Sequence, residues 1–462
     1  MPANGEAKQT YKLLITRRNA EEILLVASGK HLVLPRIEIL RERRVAEQLT
    51  TELARIWGLN AYCLFIADPE ASGRIEEAQC AVMECAANEK PPEGTYWMAA
   101  RTAEESCDPE DAGSLRQALS QLASYRDREK SAPFAKPGWL RDLFAWAAEE
   151  IAPLGLRLAG KFEQLNASPT FSLVRLETQE GALWFKASGA PNAHELPVTL
   201  LLARLFPAYL PRIFGVRRDW NGWLAGEAAG APLDELTACS AWERAAEDLA
   251  RLQMESIGRS AELLEGQCKN LRLGEMERQI NPFLSRLGEF MRAQEKTSPA
   301  PLSGRELASL AEGLRDSMAV LRSFGLPDTL GHLDCNPGNL LVSADRSTFL
   351  DWAEACVTHP FVTFEYLRRH MERCAVGEPA AEARLTAAYL GPWESCFSPE
   401  ELRRAAAAVP PVAVFLHAAQ NDTWKTLDPA ARPALAAYFR SLGRRMYREA
   451  VLAAEGSERC LS

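Results

Sequence analysis

Residues 330–360 read LGHLDCNPGNLLVSADRSTFLDWAEACVTHP. The stretch sets a few polar residues at fixed spacing between apolar runs. His332, Asp334 and Asn339 form H-x-D-x-x-x-x-N, and Asp351 follows twelve residues after Asn339. Between them LLV is apolar, SADRS has turn composition and TFL is a second β-rich run, so the segment reads as a hairpin. The hairpin brings Asp351 back towards Asn339. Phosphoryl transfer asks for such a set, because its catalysis is mostly positioning and charge neutralisation. An Asp in the first loop can accept a hydroxyl proton. An Asn amide oxygen and a second Asp can hold Mg²⁺, a hard ion that prefers oxygen.

At these residues the sequence resembles the aminoglycoside phosphotransferase/choline kinase-like family, relatives of the protein kinases. Its pattern H-G-D-x-x-x-x-N followed by I-D-W/F stands here as HLDCNPGN and FLDWAEA, with Leu333 in place of the central Gly. The resemblance implies a catalytic Asp334 with His332 beside it, and Asn339 and Asp351 as magnesium ligands. It covers roughly residues 135–455. It implies an α+β, bilobal protein-kinase-like fold, with a small β-rich lobe and a large helical lobe. Cys335 fills a variable slot of the motif, and His359, in a slot where the family has an Asp, reads as structural.

Upstream, LRLAGKFEQLN, FSLVRLET and GALWFKAS read as three strands opening a small lobe (151–228). Lys186 ends LWFK as a lysine ends V-A-I-K in kinases, where the ammonium pairs with nucleotide phosphates. Glu195, opening HELPVTLLLARLF, is the expected partner, with Glu177 and Glu180 as alternatives. A kinase covers the phosphates with a glycine-rich turn. Here the turn is QLNASPTFS, without glycine, so Asn166, Ser168 or Ser172 are the candidate phosphate contacts. Backbone near Ala225 to Glu227 would meet the adenine edge at the interlobe hinge. The helical lobe (229–455) holds the catalytic stretch and the acceptor pocket.

Residues 1–102 alternate strands with one helical stretch, ERRVAEQLTTELARIWGL, whose apolar positions Val45, Leu49, Leu53 and Ile56 recur at three and four. TELARIWGL resembles the R-E-U-x-E-E-x-G-U box of Nudix domains at Glu52, Gly58 and Leu59. Arg55 and Ile56 stand where the metal-binding Glu pair belongs, which argues against hydrolase chemistry. A small α+β accessory domain is the other reading. Residues 103–150 read as linker and lead-in helices, with the acidic ESCDPEDAGS marking a boundary.

The formal net charge of −9 argues against a nucleic-acid partner, since phosphate backbones need a basic face. No run of eighteen apolar residues occurs, so no membrane span is expected. Eleven scattered cysteines without C-x-x-C pairs, and an N-terminus without a signal-type apolar core, suit reduced thiols in the cytoplasm. The expected activity is ATP- and Mg²⁺-dependent transfer of the γ-phosphoryl group to a hydroxyl of a small molecule such as an aminoglycoside, a choline-like amine alcohol or another metabolite. A non-catalytic nucleotide-binding regulator is the alternative. A protein kinase ranks third, because DWA stands where D-F-G would be and A-P-E is missing.

Overall fold

The computed structural model describes residues 7–67, 79–126, 132–374 and 380–461. It divides into two compact units, Met1–Leu196 with Arg212–Glu227, and Pro197–Pro211 with Ala228–Ser462. Among the described residues no helix is long and apolar enough to cross a membrane.

The first unit holds two sheets. The first sheet contains β1 (Lys8–Arg17), β2 (Glu22–Ser28), β3 (His31–Val33), β4 (Arg36–Leu40), then, after helix α1 (Val45–Trp57), β5 (Ala61–Ile66), β6 (Gln79–Cys85) and β7 (Thr95–Ala99). Its order is β3-β2-β1-β6-β5, with β4 also on β1 and β7 on β2; only β1 and β6 run parallel. Strand β4 lies beyond the sequence expectations, although Ile37 and Ile39 alternate inward with exposed neighbours. Helix α1 buries Ala46, Leu49 and Leu53 and stops at Gly58, which takes a left-handed φ of 64°. Ile56 is 46% exposed, so the helix does not use it for packing. Glu52, the carboxylate shared with the Nudix box, is ion-paired to Arg55 at 2.6 Å.

The stretch read as a boundary is packed structure. Helices α2 (Ala100–Ser106), α3 (Pro109–Arg126) and α4 (Trp139–Ile151) follow β7. Asp111, in the acidic segment, is fully buried. It accepts from the Leu34 N–H (2.9 Å) and from Arg36 (2.9 Å), and lies 3.0 Å from the Lys12 ammonium. Burial by itself would raise its pKa; the bonds from Lys12, Leu34 and Arg36 outweigh that and hold it below the usual value. A carboxylate with a depressed folded pKa stabilises the fold above its unfolded pKa and loses that contribution as pH falls through the folded pKa. Asp111→Asn is therefore expected to lower Tm at neutral pH and to flatten the Tm profile below roughly pH 4. A variant that keeps the wild-type acid slope would place the effect on other groups.

The second sheet is antiparallel, ordered β11-β12-β10-β9-β8, from β8 (Leu158–Ala167), β9 (Ser172–Thr178), β10 (Gly181–Ala187), β11 (Ile213–Arg217) and β12 (Gly222–Gly226). Helix α5 (Glu195–Leu205) follows β10. One apolar core joins both sheets through the intervening segment: Leu14 and Val82 on one side, Leu115, Leu122, Phe134, Trp139 and Leu143 between, and Val174 and Phe185 on the other. Phe134 packs edge-to-face on Trp139 (5.2 Å) and Trp220 (5.5 Å). The buried Gln164 of β8 uses both ends of its amide on β5, accepting from the Cys63 N–H (2.7 Å) and donating to the Cys63 carbonyl (2.8 Å). It supplies the pairing that an edge strand otherwise lacks.

The second unit is mainly helical. Its strands form two small sheets: β13 (Ala231–Pro232) with β16 (Leu340–Val342) and β17 (Ser347–Phe349), and β14 (Lys269–Asn270) with β18 (Ala355–Thr358) and β15 (Thr329–His332). Before β15 come α6 (Cys239–Glu255), α7 (Ser260–Glu265), α8 (Leu273–Glu277), α9 (Ile280–Arg292) and α10 (Gly304–Ser323); after β18 come α11 (Phe361–Arg373), α12 (Ala381–Trp393), α13 (Pro399–Ala419), α14 (Thr423–Thr426) and α15 (Pro433–Leu461). Ser303 and Ser398 each close a capping box, with Glu306 and Glu401. Helix α6 buries Trp242, Ala245, Leu249 and Leu252 along the face its spacing predicts. The Ser256 hydroxyl at its end accepts from the Leu330 N–H at 2.8 Å and so fixes the start of the catalytic strand.

Candidate active site

Strand β15 ends at His332, whose ring is buried and engaged at both nitrogens. Its Nδ1 accepts from the Asp334 N–H (3.2 Å), and its Nε2 lies 2.8 Å from the Leu350 carbonyl. The accepting Nδ1 assigns the proton to Nε2, so the neutral ring donates to Leu350. Trp352 packs on the imidazole at 4.6 Å between centroids. His332 therefore holds backbone. These contacts give His332 a positioning role beside Asp334.

Residue 350 knits the motif. Its carbonyl meets His332, and its N–H donates to the Asn339 carbonyl at 2.8 Å. The next residue, Asp351, is exposed and takes a left-handed conformation with φ of 59°. For a residue other than glycine that backbone costs about 1 kcal/mol or more and persists only where surroundings impose it. Here Leu350 and the buried Trp352 on either side impose it.

Asn339 closes the short helical turn Pro337–Asn339. Its Nδ2 donates to the Asp334 carbonyl (3.1 Å) and to Asp334 Oδ2 (3.2 Å). With the nitrogen engaged on Asp334, the amide oxygen is the end left to meet a cation. Asp334 and Asn339 are both half-buried. Among the described residues no group of three or more His, Cys, Asp or Glu gathers into a metal cluster. Magnesium bound to a nucleotide needs only one or two protein carboxylates, because phosphates and water fill the other positions. An Asn oxygen and an exposed Asp carboxylate fit that demand. Cys335, between them in sequence, is buried, which raises its pKa and keeps it a thiol. His359 is buried too; burial pulls it down to about 3, and its Nδ1 accepts from the Phe361 N–H, as a structural histidine.

In the first unit, Lys186 at the end of β10 and Glu195 at the start of α5 meet at 2.5 Å. Their side chains are 14% and 2% exposed. The second Glu195 oxygen accepts from the Ser188 hydroxyl at 2.5 Å. Glu177 instead lies near Lys161 and Arg175. Ser188 was not among the expected site residues, and neither was Asn221. Asn221 takes a left-handed turn and donates to the carbonyls of Ser188 (2.6 Å) and Ala193 (2.9 Å), bracing the Lys186–Glu195 connection. Asn221-Gly222 is a turn dipeptide in the sequence; the side-chain bonds of Asn221 depend on tertiary contacts.

The glycine-free turn between β8 and β9 closes on itself. The Ser168 hydroxyl accepts from the Thr170 and Phe171 N–H groups. Ser172, a candidate phosphate contact, is fully buried. The close approach that glycine permits has moved to Gly189, where an added Cβ would sit 2.4 Å from the Thr170 side chain. At the expected hinge, Ala225 is 6% exposed in β12 and paired on both sides. The N–H groups of Gly226 and Glu227 donate to Arg212 and Ala182, and the Glu227 side chain pairs with Arg175 at 2.9 Å. Those two N–H groups are committed to the sheet.

Residues 220–404 match the family model of the phosphotransferase enzyme family. That span contains His332, Asp334, Asn339 and Asp351, and it bears out the resemblance to aminoglycoside phosphotransferases and choline kinases. Lys186 and Glu195 precede it. The match does not reach the N-terminal sheet, whose Nudix-like resemblance rests on residues 51–59. Solved phosphotransferase structures are similar at low identity. A choline/ethanolamine kinase family protein from Mesorhizobium loti is 18% identical over 67% of this chain and 94% of that one, with a TM-score of 0.45. A macrolide 2'-phosphotransferase from Brachybacterium faecium is 17% identical over 64% and 97%, with a TM-score of 0.44. A choline kinase from Cryptosporidium parvum is 12% identical over 69% and 92%, also with a TM-score of 0.44. A comparison with curated proteins found no match.

Proposed function

We propose that the chain transfers the γ-phosphoryl group of ATP to a hydroxyl of a small molecule, with Asp334 as the base. The observation that carries this reading is the pair of bonds from Asn339 Nδ2 to Asp334. They fix the carboxylate and turn the amide oxygen outward in one stroke. The Asp334 carboxylate accepts the acceptor's proton as its oxygen bonds to the γ-phosphorus and the β–γ bridging oxygen leaves with ADP. Asn339 and Asp351 would hold Mg²⁺, which neutralises phosphate charge when bound. Lys186, held by Glu195, would meet the α- and β-phosphates. The joint core of the first unit supports reading the N-terminal sheet as a fixed accessory of the nucleotide lobe.

The test is a thermal melt of the full chain with and without Mg²⁺-ATP. At a hundred times its dissociation constant, ligand adds about 2.7 kcal/mol of stability. The wild type should show this rise only with magnesium, and Asp351→Asn should lose most of it. A wild type that does not respond to Mg²⁺-ATP would sink the proposal. The self-closed Ser168 turn and the buried Ser172 favour the second reading, a nucleotide-binding regulator without transfer. A magnesium-dependent rise with no ADP release from any acceptor would support that reading.

A further inference from the structure

The loop that joins Lys186 to Glu195 is held from two sides within the first unit. Ser188 opens it, and its hydroxyl donates to Glu195. The Ser188 N–H donates to the Asn221 carbonyl at 3.3 Å, and the Ser188 carbonyl accepts from Asn221 Nδ2 at 2.6 Å. The same amide reaches the Ala193 carbonyl at 2.9 Å, two residues before Glu195. One side chain thus ties the end of the strand that carries Lys186 to the start of the helix that carries Glu195. Inside the loop, the Asn192 N–H donates to the Gly189 carbonyl and the Glu195 N–H to the Asn192 carbonyl. On its other side, Gly189 lies against Thr170 of the β8–β9 turn, with no room for a Cβ.

Both turns rest on the segment that leads into α4. The Phe134 N–H donates to the Pro169 carbonyl at 3.2 Å, next to Thr170. Trp220, the neighbour of Asn221, packs edge-to-face with Phe134 (5.5 Å), with Trp139 (6.4 Å) and with Phe185 (6.0 Å), the residue before Lys186. The Arg217 guanidinium covers the Trp220 ring at 3.4 Å and donates to the Asp142 carbonyl of α4 at 3.1 Å. The segment is tied in turn to the first sheet. The Gly138 N–H donates to the buried Glu84 of β6 at 2.6 Å, and the Tyr62 hydroxyl of β5 donates to the same carboxylate. A continuous set of contacts therefore runs from the N-terminal sheet, through Phe134 and Trp139, to the Lys186–Glu195 loop.

We propose that Asn221 and Trp220 are positioning residues for binding of the nucleotide phosphates, and that the N-terminal sheet braces them through the segment before α4. Phosphoryl transfer depends on placement and charge more than on covalent chemistry, so a lysine held slightly out of place loses much of its value. Asn221 and Trp220 act through Lys186 and Glu195. This rests on the reading of that pair as the phosphate contact, and it gives the N-terminal sheet a task within that reading.

The experiment is a calorimetric titration of the full chain with Mg²⁺-ATP. Asn221→Gly keeps the left-handed turn, which glycine adopts freely, and removes both side-chain bonds. Asn221→Asp keeps the shape but turns acceptors towards two carbonyls. Each should weaken Mg²⁺-ATP binding about three- to tenfold, the net value of one hydrogen bond. Trp220→Leu leaves Asn221 in place, removes the aromatic contacts with Phe134 and Trp139, and should have an effect of the same size. A merely structural role is separated by repeating Asn221→Gly in a Lys186→Met, Glu195→Gln background, which strands no buried charge. There it should change the affinity by less than about twofold, because the group it positions is gone. Wild-type affinity in both Asn221 variants, wild-type affinity in Trp220→Leu, or an undiminished loss in the Lys186→Met, Glu195→Gln background overturns the inference and leaves wild-type Mg²⁺-ATP binding standing. A wild type that does not bind Mg²⁺-ATP is the failure of the phosphotransferase reading itself, and takes the inference with it.

Discussion

Asp334→Asn is expected to lower kcat by about 10²- to 10⁴-fold, the usual contribution of a positioned general base. The substitution keeps shape, and its amide oxygen can still accept from Asn339 Nδ2, which now donates at 3.2 Å. The loop also keeps the bond from Asn339 to the residue 334 carbonyl and that from the residue 334 N–H to His332. What disappears is the proton acceptor. Magnesium-dependent stabilisation by ATP should therefore persist while ADP release with an acceptor falls. Coupled steady-state assay beside a thermal melt reads both. Turnover within about tenfold of wild type would remove Asp334 from the role of base.

Lys186→Met is expected to cost about 3–5 kcal/mol in unfolding free energy, the usual penalty for stripping one partner from a buried ion pair. Glu195, at 2% exposure, would lose the ammonium and keep its bond from the Ser188 hydroxyl. Adding Glu195→Gln removes the stranded charge, so the double variant should recover a good part of the loss. Both variants should bind nucleotide more weakly. Equilibrium denaturation gives the stabilities; a single-variant loss under about 1 kcal/mol would mean that the pair is solvated and gives little stability.

Much of the candidate site was readable because phosphoryl transfer constrains residue type and spacing together. H-x-D-x-x-x-x-N and the later Asp sit where a hairpin must return them, and the register Leu340↔Phe349 does return them. Lys186 and Glu195 were readable as a strand-end cation and a helix-start acid nine residues apart. The surroundings of four other candidates were not legible, for one reason. Ser172, His332, Ala225 and Glu227 were chosen by position, and their roles depend on which atoms burial and pairing leave available. A buried hydroxyl, an imidazole engaged at both nitrogens and N–H groups spent on neighbouring strands look the same in sequence as free ones.

The sequence by itself determined the chemistry of the catalytic stretch, the helical periodicity of α1 and α6, and the caps at Ser303 and Ser398, because each depends on residues within about one or two turns of each other. Tertiary structure alone decided that Asp111 is a buried anchor within the first unit, that Gln164 completes an edge strand across 101 residues, and that Arg369 of α11 reaches Glu449 of α15. The reason is physical. A charge or an amide acquires its meaning from the partners that reach it through space, and here those partners lie on different strands and helices.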